Sequence, residues 1–385
     1  MFKRLSGANE ARDLLLGRCM PVLHRETLPI EAAAGRVLSE EIVSGSDLPG
    51  FNRAAMDGFA VRARDTRGAG QQAPVYLDQE RAVPIRTGLQ VPEGFDAVVM
   101  LEDAVKRDDL IEIAAEVHPF RNVSRMGEDV SKGQVVFLGG HRLRPPDLAL
   151  LAALGIESIS VYRRPEVVII PTGGELVTPG SRELKVGEAY EVNGLISKLY
   201  VEMWGGVSKS RPIVPDDPGL IEKAIKSGSG SDMMLILGGT SVGEKDFAPK
   251  ALEKSGELLV HGMRLTPGKP TAIGSIGETV VVCLPGYPVA ALSALYLLVR
   301  PAIKKMAHLC DPVPSIRAVL SRKIASKVGY QSFVRVVLKD GVVTPIMTSG
   351  AGILSSVAKA DGFVMVPEDL EGIEAGETVD VSLFE

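Results

Sequence analysis

Residues 233–246 read Met-Met-Leu-Ile-Leu-Gly-Gly-Thr-Ser-Val-Gly-Glu-Lys-Asp: five apolar residues without a break, then two glycines, two hydroxyls and a run of charge. An apolar pentamer bounded by turn residues predicts a strand buried on both faces. Two similar runs stand elsewhere, Val167-Val-Ile-Ile170 and Val280-Val-Val-Cys-Leu284. Between and around them lie the β-branched segment 207–214 and helical segments at 195–204, 220–227, 247–254 and 289–307. That alternation predicts a doubly wound, mainly parallel α/β domain. Pro301 should kink or end the last helix, because it lacks the N–H that a helix interior requires.

Outward from this domain the pattern changes. Asp311-Pro-Val-Pro314 reads as a linker into a final β module over 315–385. On the other side, residues 45–140 are rich in Gly, Pro and short β-branched runs, with strands expected at 96–100, 110–113 and 134–137. Pro145-Pro-Asp147 opens a helix over 148–154 that stops at Gly155. The first forty residues show helical spacing at Ala11, Leu14 and Leu15, and a second helix is expected near Glu31–Leu38.

Composition excludes several classes. A chain of 385 residues with 45% hydrophobic content is expected to form about two to four domains. A formal charge of −5 creates no global field for nucleic acid or an anionic membrane. Cys19, Cys283 and Cys310 form neither a disulfide framework nor a CxxC pair, which points to a reducing compartment. The longest apolar runs, 148–156 and 289–299, are too short to span a bilayer, so a cytoplasmic location is expected. The histidines at 24, 118, 141, 261 and 308 lack metal-ligand spacing.

In doubly wound sheets ligands collect beyond the carboxyl ends of the strands. The first such loop, Pro171-Thr-Gly-Gly-Glu175, offers the backbone of Thr172 and Gly173 and the carboxylate of Glu175, although a plain turn fits equally well. The second places Gly238, Gly239, Ser241 and Asp246 between a strand and a helix, as a phosphate beside a divalent cation requires; Asp246 could also cap the helix. The third, Pro285-Gly-Tyr-Pro288, with Gly286 and Tyr287, leads into a helix N-terminus. Lys269 in Thr266-Pro-Gly-Lys-Pro270 adds a compact cation. With Asp216 and Glu244, these loops argue together for a phosphorylated ligand and a metal ion. The polar loop around Asp57-Gly58 reads by itself as a turn.

The ordered set AMDGFAV (55–61), Thr87-Gly88, PEGFDAVVMLED (92–103), GEDVSKG (127–133), TGGEL (172–176), LILGGTSVGEKD (235–246), TPGKP (266–270) and LPGYPVAA (284–291) resembles the molybdopterin molybdenumtransferases, the MoeA and gephyrin E-domain family. The resemblance covers essentially the whole chain. It implies a multidomain α/β fold: an elongated N-terminal domain (1–45 with 141–164), a β-rich inserted module (46–140), a MogA-like α/β molybdopterin-binding domain (165–310) and a barrel-like β domain (311–385). It further implies a homodimer in which the module bearing Asp57 faces the α/β domain of the other subunit.

The implied reaction takes adenylylated molybdopterin and molybdate, or tungstate, with Mg²⁺, and releases AMP. Asp57, Glu175, Asp216 and Asp246 would be catalytic, the last three holding the metal. Thr87, Asp129, Thr172, Gly173, Gly238, Gly239, Ser241, Lys269, Pro285, Gly286 and Tyr287 would bind substrate, with Ser355 and Ser356 from the C-terminal serine loop 349–356. The adenylyltransferase of the same pathway is the implied partner enzyme. Two positions depart from the family pattern: Gly174 stands where an aspartate is usual, and Thr266 where a lysine is. These departures keep open a second reading, a non-catalytic or specialised paralogue acting as a molybdopterin-binding scaffold.

Overall fold

The computed structural model describes residues 5–239, 247–346 and 352–385, and divides into two compact units. The first comprises residues 1–24 and 162–385, the second residues 25–161.

Within the first unit, helix α1 (Ala8–Arg18) precedes the α/β elements β1 (Glu166–Pro171), α2 (Asn193–Met203), β2 (Val207–Ser210), α3 (Pro218–Gly228), β3 (Met233–Leu237), α4 (Phe247–Ser255), β4 (Glu257–His261), β5 (Ala272–Ile276) and β6 (Thr279–Leu284). The sheet order is β2-β1-β3-β6-β5-β4. The first four strands in this order are parallel, whereas β5 and β4 join as an antiparallel edge.

The unbroken apolar runs have a direct cause. Val167 and Ile169 enter one core with Met233, Leu235, Val280 and Val282, while Val168 and Ile170 enter the opposite core with Met234, Ile236 and Val281. Alternate residues of a strand face opposite ways, so a sheet covered on both sides needs apolar residues at every position. Ile221 and Ile225 of α3 and Leu252 of α4 close one face; Leu15 of α1 and Val201 of α2 close the other.

After β6 the chain forms α5 (Pro288–Ala294), a π-helical turn over Leu295–Val299, and α6 (Arg300–Met306). Pro301 therefore does not end the helical run; a shift of hydrogen-bond register just ahead of it accommodates the missing donor.

The C-terminal segment supplies β7 (Ser315–Leu320), β8 (Gln331–Lys339), β9 (Val342–Pro345), β10 (Gly362–Val366) and β11 (Thr378–Leu383). They pair in the cycle β8-β9-β7-β11-β10, and β10 returns to β8, closing a barrel. Leu320, Val336, Val343, Val364 and Val381 fill it.

The second unit carries two three-stranded sheets. In one, Gly58–Val61 lies between Ala82–Ile85 and Ala97–Met100; in the other, Leu110–Ile113 lies between Val75–Asp78 and Ala104–Arg107. The helix opened by two prolines spans Pro145–Ala153 and ends before Gly155, which has φ +74°. The helix expected near Glu31–Leu38 does not form. Only a 3₁₀ turn, Ile30–Ala32, is present; Gly35 adopts φ +74°, and Val37 and Leu38 bridge to Arg142 and Val161 instead. The left-handed glycine interrupts the helix, and tertiary strand pairing wins over local spacing.

Among the described residues no helix is long and apolar enough to cross a membrane. The three cysteines are free.

Candidate functional site

Three loops at the carboxyl end of the parallel sheet enclose a cavity of about 1020 Å³. Hydrogen bonds between strand ends bring the loops together. Thr172 donates its N–H to the Leu237 carbonyl at 2.7 Å and its hydroxyl to the same oxygen at 3.1 Å, while Gly238 N–H donates to Leu284 at 3.0 Å. Gly238 adopts φ +91°, and a Cβ there would stand 2.5 Å from the Thr172 carbonyl oxygen. Only glycine lets these two loops approach so closely.

Glu175 and Asp216 both line this cavity, Glu175 exposed and Asp216 half-buried. Asp216 accepts a 3.4 Å hydrogen bond from the Gly174 N–H. Its neighbour Asp217 has a different task, capping α3 by accepting the Leu220 N–H at 2.9 Å. Two adjacent acids are thereby separated into a cleft group and a structural cap. Among the described residues, neither Glu175 nor Asp216 is paired with a lysine or arginine, so both retain open carboxylate oxygens.

Three glycine-bearing loops and two acids without cationic partners among the described residues thus surround one cavity, and comparison with known proteins identifies the family. Residues 7–155 match the MoeA N-terminal region (domains I and II), residues 168–305 the probable molybdopterin binding domain, and residues 317–384 the MoeA C-terminal region (domain IV).

The chain belongs to the MoeA family.

A Methanocaldococcus jannaschii protein named for molybdopterin biosynthesis is 39% identical, the match covering 92% of this chain and 91% of that one. The molybdopterin molybdenumtransferase of Haemophilus influenzae is 33% identical across 98% of both chains. The crystal structure of a molybdopterin biosynthesis moeA protein from Pyrococcus horikoshii superposes with a TM-score of 0.83 at 33% identity, covering 99% of this chain and 100% of that one. The MoeA family fold, with its α/β domain, β-rich parts and closed C-terminal barrel, accounts for the architecture described above.

Of the residues singled out in the sequence, Thr172, Gly173, Glu175, Asp216, Gly238, Gly239, Pro285, Gly286 and Tyr287 line the one cavity. Lys269 is exposed and is not among the lining residues, although the next residue, Pro270, is. Ser241 and Asp246 lie outside the described residues. Ser355 is exposed, whereas Ser356 is buried, donates to the Ile353 carbonyl at 2.5 Å and accepts from Arg335. Its hydroxyl thus has structural partners within the barrel domain.

In the second unit, Asp57 accepts from the Thr87 N–H at 2.7 Å and from its hydroxyl at 2.9 Å. The backbone donor, then the hydroxyl, hold the Asp57 carboxyl below its ordinary value. The turn around Asp57 is therefore built to keep an exposed carboxylate charged. Asp129 is also exposed, and its N–H donates to Leu48 at 3.0 Å.

Two cleft residues escaped the sequence reading. Glu191 is half-buried and accepts the Gly194 N–H at 2.6 Å; desolvation raises its carboxyl above the usual range despite these backbone donors. Asn193 is 8% exposed and donates its side-chain amide to the Gly286 carbonyl at 2.7 Å. The available signal was the short polar stretch Tyr190-Glu-Val-Asn193 directly ahead of a helix, a capping pattern that also faces the ligand loops.

A divalent cation fits this donor set. Mg²⁺ is bound by one or two carboxylates together with phosphate oxygens and water. Glu175 and Asp216 supply two open hard-oxygen donors in one cleft. No cluster of three or more metal-binding side chains occurs among the described residues, so a cation held by these two carboxylates would take its remaining ligands from a bound anion or solvent.

Proposed function

We propose that this chain is a transferase of molybdenum-cofactor biosynthesis that inserts molybdate, or tungstate, into adenylylated molybdopterin with release of AMP. The observation that carries this reading is the pair Glu175 and Asp216, left without cationic partners among the described residues, inside a cavity walled by three glycine loops. Backbone N–H groups approach an anionic ligand where glycine removes the side chain, and a metal ion completes the charge balance. Glu175, Asp216 and Asp246 would hold Mg²⁺, which when bound supplies neutralisation of phosphate charge. The chain's own work is positioning: Thr172 and Gly238 fix the loops, and Asn193 fixes the loop at Gly286. Asp57, kept ionised by Thr87, joins the site from the inserted module in a homodimer, and Asp129, Lys269, Ser241 and Ser355 contribute polar contacts to substrate. The four-domain division given above belongs to the same proposal, as does an encounter with the adenylyltransferase that supplies the substrate.

AMP release from adenylylated molybdopterin tests the reading, with Mg²⁺ present and molybdate, tungstate or no oxyanion supplied in parallel. Oxyanion-dependent release is expected, and the more effective anion identifies the metal handled. Absence of release under every condition favours the scaffold reading, for which Gly174 and Thr266 give the footing.

A further inference from the structure

Tyr287 lines the cavity and is 67% exposed. Among the described residues, no ring contact or ion pair calls for an aromatic ring at this position. Among the described residues its hydroxyl makes no hydrogen bond. It stands at the N-cap of α5 with φ −78° and ψ 130° and provides no side-chain cap, where Ser, Thr, Asp or Asn would satisfy a helix donor. A large apolar surface is thus left in water at a site the helix would fill better with a short polar residue.

The backbone that carries the ring is nonetheless firmly held. Pro285 is buried, Pro288 fixes the first turn of α5, and the Gly286 carbonyl is clamped by Asn193 at 2.7 Å. On the barrel side, a Cβ at Gly352 would stand 3.2 Å from Tyr287 Cδ1 and 3.6 Å from Cε1, so glycine there leaves the room that the ring occupies. The result is a flat, pre-positioned apolar face beside a cleft whose acids are suited to a metal-bound phosphate.

We infer that Tyr287 is a stacking platform for a planar nitrogen heterocycle of the ligand, the pterin or the adenine ring. The inference rests on the reading of the cleft given above and assigns the Pro285–Pro288 loop to ring recognition. Two side-chain torsions fix a tyrosine, so stacking on it loses little conformational freedom, and a π-face accepts either ring without hydrogen-bond readout.

Calorimetric titration of AMP, and separately of molybdopterin under anaerobic conditions, into the full-length wild-type protein, Tyr287→Phe and Tyr287→Leu with Mg²⁺ tests it. The ring is exposed, so unchanged circular dichroism and melting temperature are expected for both variants. Phe should bind like wild type, whereas Leu, of comparable apolarity but without a π-face, should bind one probe about tenfold more weakly. The weakened probe names the ring that stacks. If Leu binds both probes as wild type does, or if Phe loses as much as Leu, the stacking role is wrong while the cleft reading stands. If wild type binds neither probe, both fall.

Discussion

Asn193 holds Gly286: the side-chain amide at the start of α2 donates 2.7 Å to the carbonyl of the loop that follows β6. One helix N-terminus thereby sets the position of a loop attached to another strand. Asn193→Ala removes that donor from a side chain 8% exposed and should cost about 1–2 kcal/mol of stability. It should also weaken AMP binding, which Tyr287→Phe leaves unchanged, because the loop is released as a unit. Denaturant melts and calorimetry check this; unchanged binding would show that the loop position is set elsewhere.

The approach of Thr172 to Gly238 gives the second prediction. Gly238→Ala would place Cβ 2.5 Å from the Thr172 carbonyl oxygen and force a side-chain-bearing residue to hold φ +91°. A cost of at least about 2 kcal/mol is expected, with loss of ligand binding. Gly230, also at positive φ but with open space around it, is the control: Gly230→Ala should cost about 1 kcal/mol and leave binding intact.

Of these two relationships, the loop that carries Gly238 was readable in the sequence and the clamp from Asn193 was not. The buried strands were legible because continuous apolar runs such as Met233–Leu237 have one physical explanation, burial on both faces of a sheet. The cleft loops were legible because strand ends followed by glycine place them. The 31–38 segment was misread because helical spacing over a few residues cannot compete with strand pairing at Val37 and Leu38. Glu191 and Asn193 were missed because a capping pattern looks the same whether or not it borders a cavity. Nor does sequence show that Asp217 caps a helix while Asp216 faces the cleft, since the distinction depends on where α3 begins.

Glu191 makes stability depend on pH in a defined direction. Its carboxyl is raised above the ordinary 4.5 in the folded protein, chiefly by desolvation. The fold therefore holds the proton more tightly than the unfolded chain, and the contribution is most favourable below 4.5. It is lost as pH rises from 4.5 through the raised value. Glu191→Gln removes the ionisable group while retaining an oxygen for the Gly194 N–H. The melting temperature of the variant minus that of wild type should rise across that window and then level off. A difference that falls with pH would reverse the assignment.

Arg300 is 3% exposed and grips Glu385 with two hydrogen bonds of 2.7 Å, while Trp204 Nε1 donates to the same carboxylate at 2.7 Å. This network ties α6 and the end of α2 to the chain beyond the last barrel strand. Arg300→Met should cost about 3 kcal/mol because it strands a partly buried carboxylate. The double substitution Arg300→Met with Glu385→Leu should cost less than Arg300→Met alone. Equal or additive losses in chemical melts would show that the pair is worth no more than its separate contacts.

Asp57 and Thr87 separate a charged device from a simple turn. If Asp57 only shaped the turn, Asp57→Asn would preserve the contacts and turnover together, since the amide oxygen can still accept from Thr87. If the charge acts on substrate, Asp57→Asn should lower oxyanion-dependent AMP release by about a hundredfold with the fold intact. Thr87→Val removes the hydroxyl and leaves the N–H, so the Asp57 carboxyl should titrate upward toward its ordinary range without reaching it. Carboxyl NMR of the variant reads that shift directly, while the pH profile of turnover should extend less far to the acid side. Full activity in Asp57→Asn, alongside the expected shift in Thr87→Val, would leave the charged turn as structure alone and remove Asp57 from the proposed site.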